Sequence, residues 1–413
     1  MIRRPPRSTL DRSSAASDVY KRQVEVAKKL NIEICELKIH KDQPEGLFDL
    51  FDNKSDYSSP NENDEALVLH TSGTTSRPKI VPLSNNNIYS SSENISKSLS
   101  LTDNDHCLNI MPLFHIHGLI AVLATSMKVG ASVCASSGFN ALKFLDLARL
   151  EKITWYSGVP TMHQAILLRA NKNKEAAKNL NLRLIRSSSA SLPPAVFKDL
   201  NEAFNCPVIE AYGMTEATHQ MTSNPLPPKQ QKAGFVGLPA GPEVCIMSEN
   251  GDMMKKGEEG EVCIKGENVT LGYENNEEAN KTSFTNGWFR TGDQGYFDED
   301  GYLKISGRLK EIINKGGEKI SPLEVDNVLM DHPSIDQAVC FGYEDKMLGE
   351  NIASAIIIKS GEMCSEEDVL KYAEEKLAKF KIPKKIFFVD EIPKGATGKL
   401  QRNVLAKKFG LSS

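Results

Sequence analysis

From residue 24 onward, short apolar runs alternate with segments whose apolar positions recur at helical spacing, a rhythm that predicts layered α/β structure. Strands are predicted at 66–70, 131–135, 154–157, 182–187 and 208–210, and amphipathic helices at 86–98, 141–151 and 161–171. The Pro- and Lys-rich stretch 224–232 reads as an exposed loop, and the turn-rich 234–272 as a small β subdomain. After Ser306 the pattern changes to an α+β order: a helix opened by Pro322, strands at 337–341 and 352–358, a helix at 366–380 and a strand at 386–389. The expected organisation is a large domain at 24–306, a hinge at 307–310 and a small C-terminal domain at 311–413.

Composition narrows the function classes. A chain of 413 residues exceeds what one core supports, so at least two domains are expected. The net charge of -4 offers no polyanion-binding surface, which argues against nucleic acid as a partner. No apolar run is long enough to span a bilayer; the strongest, at 352–358, reads as a buried strand. Eight cysteines without a CxxC pair argue against a zinc ribbon or a disulfide scaffold and suit a reducing compartment. Residues 1–23, with their Arg pair and Ser clusters, have no apolar stretch and are not a secretory signal. They read as non-native, adapter-like sequence, so the large domain is expected to be truncated at its start.

Four runs carry candidate chemistry. Thr71, Ser72, Gly73, Thr74 and Thr75, with Lys79 just beyond, follow an apolar strand and offer hydroxyl and backbone donors plus a cation to phosphate. The run is not a Walker loop, because no second Gly precedes the Lys. Tyr212-Gly213-Met214-Thr215-Glu216 supplies a ring for a purine, a hydroxyl for phosphate and one carboxylate for Mg²⁺, although a strand-to-helix turn would read the same way. Asp293, expected on a turn, and Arg308 could clamp a ribose or form a surface ion pair. Near the end, Pro393-Lys394-Gly395-Ala396-Thr397-Gly398-Lys399 places a Lys after a Gly-containing loop.

Taken together, in this order and spacing over about residues 66–408, the runs resemble the adenylate-forming superfamily of acyl-CoA synthetases, peptide adenylation domains and beetle luciferases. The resemblance implies a multi-subdomain adenylation domain, layered α/β plus the small β subdomain, followed by a mobile α+β C-terminal domain. It implies ATP, Mg²⁺ and coenzyme A. Thr71, Ser72, Gly73, Thr74, Thr75 and Lys79 would cradle the β/γ-phosphates, with Tyr212 and Ala190 beside the nucleoside. Thr215 would meet the α-phosphate, Glu216 the metal, and Asp293 and Arg308 the ribose. Lys399 would bridge the substrate carboxylate and α-phosphate, and a hinge at Lys310 would exchange it for Lys315-Gly316-Gly317 when CoA attacks.

The expected acid pocket is polar where long-chain synthetases are apolar, as a small acid with a second carboxylate requires. The stretches LRLIRSSSASLPP, AYGMTEATHQMTSNPLPP and GRLKEIINKGGEKISPLEVD are similar to plant and fungal oxalate–CoA ligases. That similarity implies oxalate, bound by His117, Ser189 and His219 with Arg186 as a further partner. Two alternatives stay open: a 4-coumarate-like or short- to medium-chain ligase, and an inactive truncated fragment. The chain ends Leu411-Ser412-Ser413, not in a Ser-Lys-Leu-type signal, so a cytoplasmic monomer is the default expectation.

Overall fold

The computed structural model describes residues 24–31, 60–71, 78–136, 138–395 and 400–411, together with the backbone of two short strands at 38–39 and 48–49. Strands β1 (Glu65–His70) and β2 (Ile80–Ser84) form an antiparallel pair. Helix α1 (Asn85–Ser98) follows directly. Its start is set by a reciprocal cap, Ser84 accepting from the Asn87 backbone and Asn87 from the Ser84 backbone.

A seven-stranded sheet forms the centre of the large domain. It comprises β3 (His106–Asn109), β4 (Ser132–Ala135), β5 (Trp155–Gly158), β6 (Leu184–Ser187), β7 (Val208–Met214), β8 (His219–Ser223) and β9 (Leu238–Pro239), in the spatial order β9-β8-β7-β6-β5-β3-β4. Strands β3 to β7 are mutually parallel, and β8 and β9 are added antiparallel. Crossovers include α2 (Phe144–Leu150), α3 (Pro160–Lys172) and α4 (Pro194–Phe204). Successive strand residues point to opposite faces. Accordingly Tyr156, Ile185 and Val208 enter one core with Phe144 and Phe204, while their neighbours Trp155, Leu184 and Ile209 enter another with Ile95 and Leu99. Both faces are therefore covered, as a parallel sheet requires, and each large apolar side chain so buried contributes about 1.5–3 kcal/mol.

The chain runs from β3 outward to β4 and then returns past β3 to β5, so strand order reverses at β3. Ligands of open α/β sheets bind beyond the carboxyl ends of strands at such a reversal. One helix there escaped the periodicity reading: His117–Ala124 is a widened π-helical segment, continued by an α-helical turn at Thr125–Lys128. Its run HGLIAVLA has no polar face, so helical spacing left no mark on it.

A second, antiparallel sheet joins β10 (Glu243–Met247), β11 (Gly260–Lys265), β12 (Phe284–Thr285), β13 (Trp288–Phe297) and β14 (Leu303–Arg308). Gly307 and Arg308 belong to β14, paired with Gln294 and Asp293. A third sheet contains β15 (Ile313–Lys315), β16 (Glu318–Ile320), β17 (Ile335–Asp345), β18 (Gly349–Ile358) and β19 (Lys385–Phe388), packed with α5 (Pro322–Met330) and α6 (Glu366–Lys376). Its core has two sides, one around Ile313, Val325, Ile352 and Val369 and one around Phe341, Tyr343 and Leu405.

Candidate active site

The loop after β1 is closed at its base: the Thr71 N–H donates to the Lys79 carbonyl at 2.9 Å, and the Lys79 N–H to Thr71 Oγ1 at 3.1 Å. Ser72, Gly73, Thr74 and Thr75 lie outside the described residues. Half-buried Lys79 extends its ammonium over the Tyr273 ring, 4.1 Å from the centroid. Burial lowers its pKa, and Glu216 partly opposes that. The Tyr273 hydroxyl in turn donates to Glu216 Oε1 at 2.7 Å, and burial, then Glu216, push that phenol well up. Glu216 is only 7% exposed. A single buried carboxylate beside a lysine ammonium fits a Mg²⁺–nucleotide, because Mg²⁺ takes one or two carboxylates plus phosphates. No group of three or more metal-ligating side chains exists among the described residues.

Tyr212 lies on β7 and donates its hydroxyl to Asp293, which also receives Arg308 Nε at 3.2 Å. Asp293 is buried and Arg308 exposed; the carboxylate raises the guanidinium pKa. Strand β7 runs on through Tyr212-Gly213-Met214, and a single helical turn at Thr215–Ala217 follows it and carries Glu216. One local expectation is corrected here: Asp293 is in β13, not on a turn. The Thr291-Gly292 pair makes a bulge, with Thr291 Oγ1 donating to the Val262 carbonyl and the Gly292 N–H to Glu261, both at 2.8 Å. Turn-forming residues thus serve to bend a strand and redirect its carboxylate.

The β7–β8 connection is unusually constrained. Thr218 and His219 both have positive φ, 49° and 103°. Non-glycine residues hold such angles only where the surroundings over-determine them. Asn268 does so by donating to the Ala217 and Gln220 carbonyls at 2.8 and 2.9 Å, while Thr218 Oγ1 donates to the Asn268 carbonyl at 2.8 Å. Gly213 permits the close approach, since a Cβ there would lie 1.9 Å from the His219 carbonyl oxygen.

Beyond the carboxyl ends of β5 and β6 lies a polar cluster. His117 meets Ser189 Oγ through Nδ1 at 3.0 Å and Ser157 Oγ through Nε2 at 2.6 Å, and its ring centroid is 5.0 Å from that of His219. Arg186 is fully buried beneath them and donates to Gln220 Oε1 at 3.1 Å, His219 Nδ1 at 3.4 Å and Ser157 Oγ at 3.5 Å. Ala190 follows as an exposed residue.

The structure therefore gathers Lys79, Glu216, Tyr212, Asp293 and Arg308 on one side, and His117, Ser189, Arg186 and His219 on another. Thr215 links the two through the β7–β8 turn. Lys310 is close enough to depress the Lys79 pKa. The Lys315-Gly316-Gly317 turn is not part of this group: Gly316 donates to the Leu348 carbonyl at 2.8 Å, Lys315 to the Phe380 carbonyl at 3.0 Å, and the charges felt by Lys315 belong to Lys384 and Asp345. Lys399 lies outside the described residues. Tyr273, Asn268, Ser157 and Gln220 escaped the sequence reading, because none stands in a recognisable run.

This arrangement, on this fold, defines an AMP-binding enzyme, and the chain belongs to that family. The model of the AMP-binding enzyme matches residues 8–274, beginning inside the Arg- and Ser-rich stretch, and that of the AMP-binding enzyme C-terminal domain matches residues 324–399. Oxalate–CoA ligase of Arabidopsis thaliana is 51% identical over 84% of this chain and 68% of its own length. Oxalate–CoA ligase of Saccharomyces cerevisiae is 49% identical over 85% of this chain and 64% of its own length. ATP-bound MatB from Rhodopseudomonas palustris superposes with a TM-score of 0.85 at 30% identity, covering 95% of this chain and 78% of that one. The chain thus spans about two thirds of the length of these two ligases. No helix among the described residues is long and apolar enough to cross a membrane.

Proposed function

We propose that this protein is an ATP-dependent carboxylate–CoA ligase that converts oxalate, ATP and CoA to oxalyl-CoA, AMP and pyrophosphate through an acyl-adenylate. The observation that carries the reading is the meeting of two sites at one end of the parallel sheet. A Lys79–Tyr273–Glu216 and Tyr212–Asp293–Arg308 constellation suits a nucleotide, and a donor-rich histidine pocket beside it suits a small acid. The named activity of relatives about half identical supports the choice of acid.

A carboxylate is a poor nucleophile toward a polyanionic nucleotide, so charge must be cancelled where the two meet. In this reading Thr71 to Thr75 and Lys79 hold the β/γ-phosphates, Thr215 the α-phosphate, Tyr212 and Ala190 the adenine side, and Asp293 with Arg308 the ribose. Glu216 would hold Mg²⁺, which supplies charge neutralisation at the phosphates. His117, Ser189 and His219, backed by Arg186, orient the acid so that one carboxylate oxygen faces the α-phosphorus, and Lys399 bridges the two. The oxygen–phosphorus bond forms as the α–β bridge breaks and pyrophosphate leaves. Movement of residues 311–413 about Lys310 then exchanges Lys399 for Lys315-Gly316-Gly317, whose glycines admit a pantetheine chain. The thiol loses its proton, its sulfur takes the acyl group, and AMP departs.

Pyrophosphate release by the protein with MgATP and a panel of acids, with and without CoA, tests this reading. Oxalate-dependent release that turns over only with CoA is expected. Release with a different acid sinks the oxalate assignment but keeps the chemistry. Silence across the panel sinks both.

A further inference from the structure

A buried cation normally has a carboxylate beside it. Arg183 has Asp105 at 3.0 Å, and Arg402 in the small domain has Asp326 at 2.6 Å. Arg186 is buried more completely than Arg183, and among the described residues its acceptors are all neutral: Gln220 Oε1, His219 Nδ1 and Ser157 Oγ, two of them at 3.4 Å or more. Its Nε makes no hydrogen bond among the described residues. Burial draws its pKa down, to about 9, and no charged neighbour among the described residues acts on it. A guanidinium left this far from satisfied marks a place where an anion completes the protein's charge.

The connectivity says how that charge reaches the pocket. A guanidinium can only donate, so His219 accepts at Nδ1 and its ring proton is directed to Nε2. Ser157 Oγ receives Arg186 and also meets His117 Nε2, whose other nitrogen meets Ser189. One buried cation thus stands behind both imidazoles and sets the accepting nitrogen of His219.

We infer that Arg186 is a positioning residue that makes this pocket select a dianionic acid with two carboxylates over a monoanion of the same shape, acting through His219, Ser157 and His117. The inference rests on the reading of this cluster as the acid pocket. An amide in place of the second carboxylate leaves the guanidinium uncompensated, so the penalty falls on charge and not on fit.

The test compares oxalate with oxamate, its near-isosteric monoamide, in wild type, R186Q and R186K. Wild type is expected to favour oxalate by about 100-fold in kcat/KM. R186Q is expected to reduce that preference to below about tenfold, mostly by raising KM for oxalate, with KM for ATP unchanged. R186K, which keeps the charge on a single ammonium, is expected to retain most of the preference at a lower kcat. Wild type that accepts oxamate as readily as oxalate overturns the inference without any variant. So does R186Q with its preference intact, or with both acids lost in parallel, the mark of a merely structural role. If R186Q fails to fold, R186K decides: preference kept supports the inference, and preference lost with ATP binding intact overturns it. Wild type that adenylates other acids but not oxalate overturns the substrate reading and this inference with it, whereas oxalate turnover without charge preference overturns this inference alone.

Discussion

Tyr273 donates its hydroxyl to Glu216 at 2.7 Å across 57 residues of sequence, and the face of the same ring lies 4.1 Å from the Lys79 ammonium. One side chain thereby orients the carboxylate proposed for the metal and the cation proposed for the phosphates. Its two contacts can be separated, because phenylalanine keeps the ring and loses the hydroxyl. Groups that orient a metal-binding side chain are typically worth 10- to 100-fold in metal affinity. Y273F is therefore expected to raise the Mg²⁺ concentration needed for half-maximal pyrophosphate release by about tenfold. KM for ATP at saturating Mg²⁺ should hold. Mn²⁺ binding in the presence of ATP, followed by electron paramagnetic resonance, should weaken in parallel. Unaltered metal dependence would remove Tyr273 from this role.

Glu210 supplies a stability signature with a definite sign. It is buried on β7, takes the Leu192 N–H at 2.9 Å on Oε1, and has no partner for Oε2 among the described residues. Burial pushes its pKa up to about 8. The folded protein therefore holds a proton that the unfolded chain releases near the ordinary carboxylate value of about 4.3. Stability from the neutral acid is complete below that value and is lost as pH rises toward 8. Glutamine keeps the acceptor for Leu192 and does not titrate. Between about pH 5.5 and about pH 8.5, wild type is expected to lose about 3 kcal/mol more than E210Q in urea unfolding. A wild type that gains stability relative to E210Q over this range would reverse the argument.

How much of this site could be read in advance depended on distance along the chain. Lys79, Tyr212, Glu216, Asp293 and Arg308 sit in short runs whose composition is itself unusual, and together those runs pointed to a nucleotide. Tyr273 and Asn268 act on Glu216 and Ala217 from 57 and 51 residues away, and Ser157 meets His117 across 40. A lone Tyr after Gly272, or a Ser within an apolar strand, carries no local mark of such partners. The fold followed the same rule. Both cores of the parallel sheet were legible as apolar runs, whereas the π-helical segment at His117 and the bulge that redirects Asp293 depend on contacts the pattern does not contain.

Asn268 offers a direct measure of what holds the positive-φ turn. Its side chain donates to two buried carbonyls, and its own carbonyl takes Thr218 Oγ1. N268A leaves the Ala217 and Gln220 carbonyls without that donor and releases Thr218 and His219 from their left-handed conformations. A loss of about 2–3 kcal/mol is expected, read as a lower midpoint in thermal or urea unfolding. KM for the acid should rise more than KM for ATP, because His219 faces the acid side of the turn. An equal rise in both would mean that the turn serves the whole site and not His219 in particular.

Lys399 tests the division of labour between the two halves of the proposed reaction. Its flanking residues are fastened to the small domain. Lys394 pairs with Leu400, the Gln401 N–H donates to the Pro393 carbonyl at 2.9 Å, and Arg402 is gripped by Asp326 at 2.6 Å and Glu311 at 3.3 Å. Asp326 is on α5, and Glu311 follows directly on Lys310. The segment that carries Lys399 is thus tied to the far side of the proposed hinge, so a rotation about Lys310 would carry it along. Charge supplied at a developing transition state is commonly worth 10²- to 10³-fold in kcat. K399A is therefore expected to slow adenylate formation by at least about 100-fold. It should leave the transfer of an acyl group from supplied acyl-AMP to CoA nearly untouched, because the proposed scheme withdraws the lysine before that step. Single-turnover measurement of each half-reaction decides the point. Comparable losses in both would mean that Lys399 stays at the centre throughout, and the two-position scheme would fall with it.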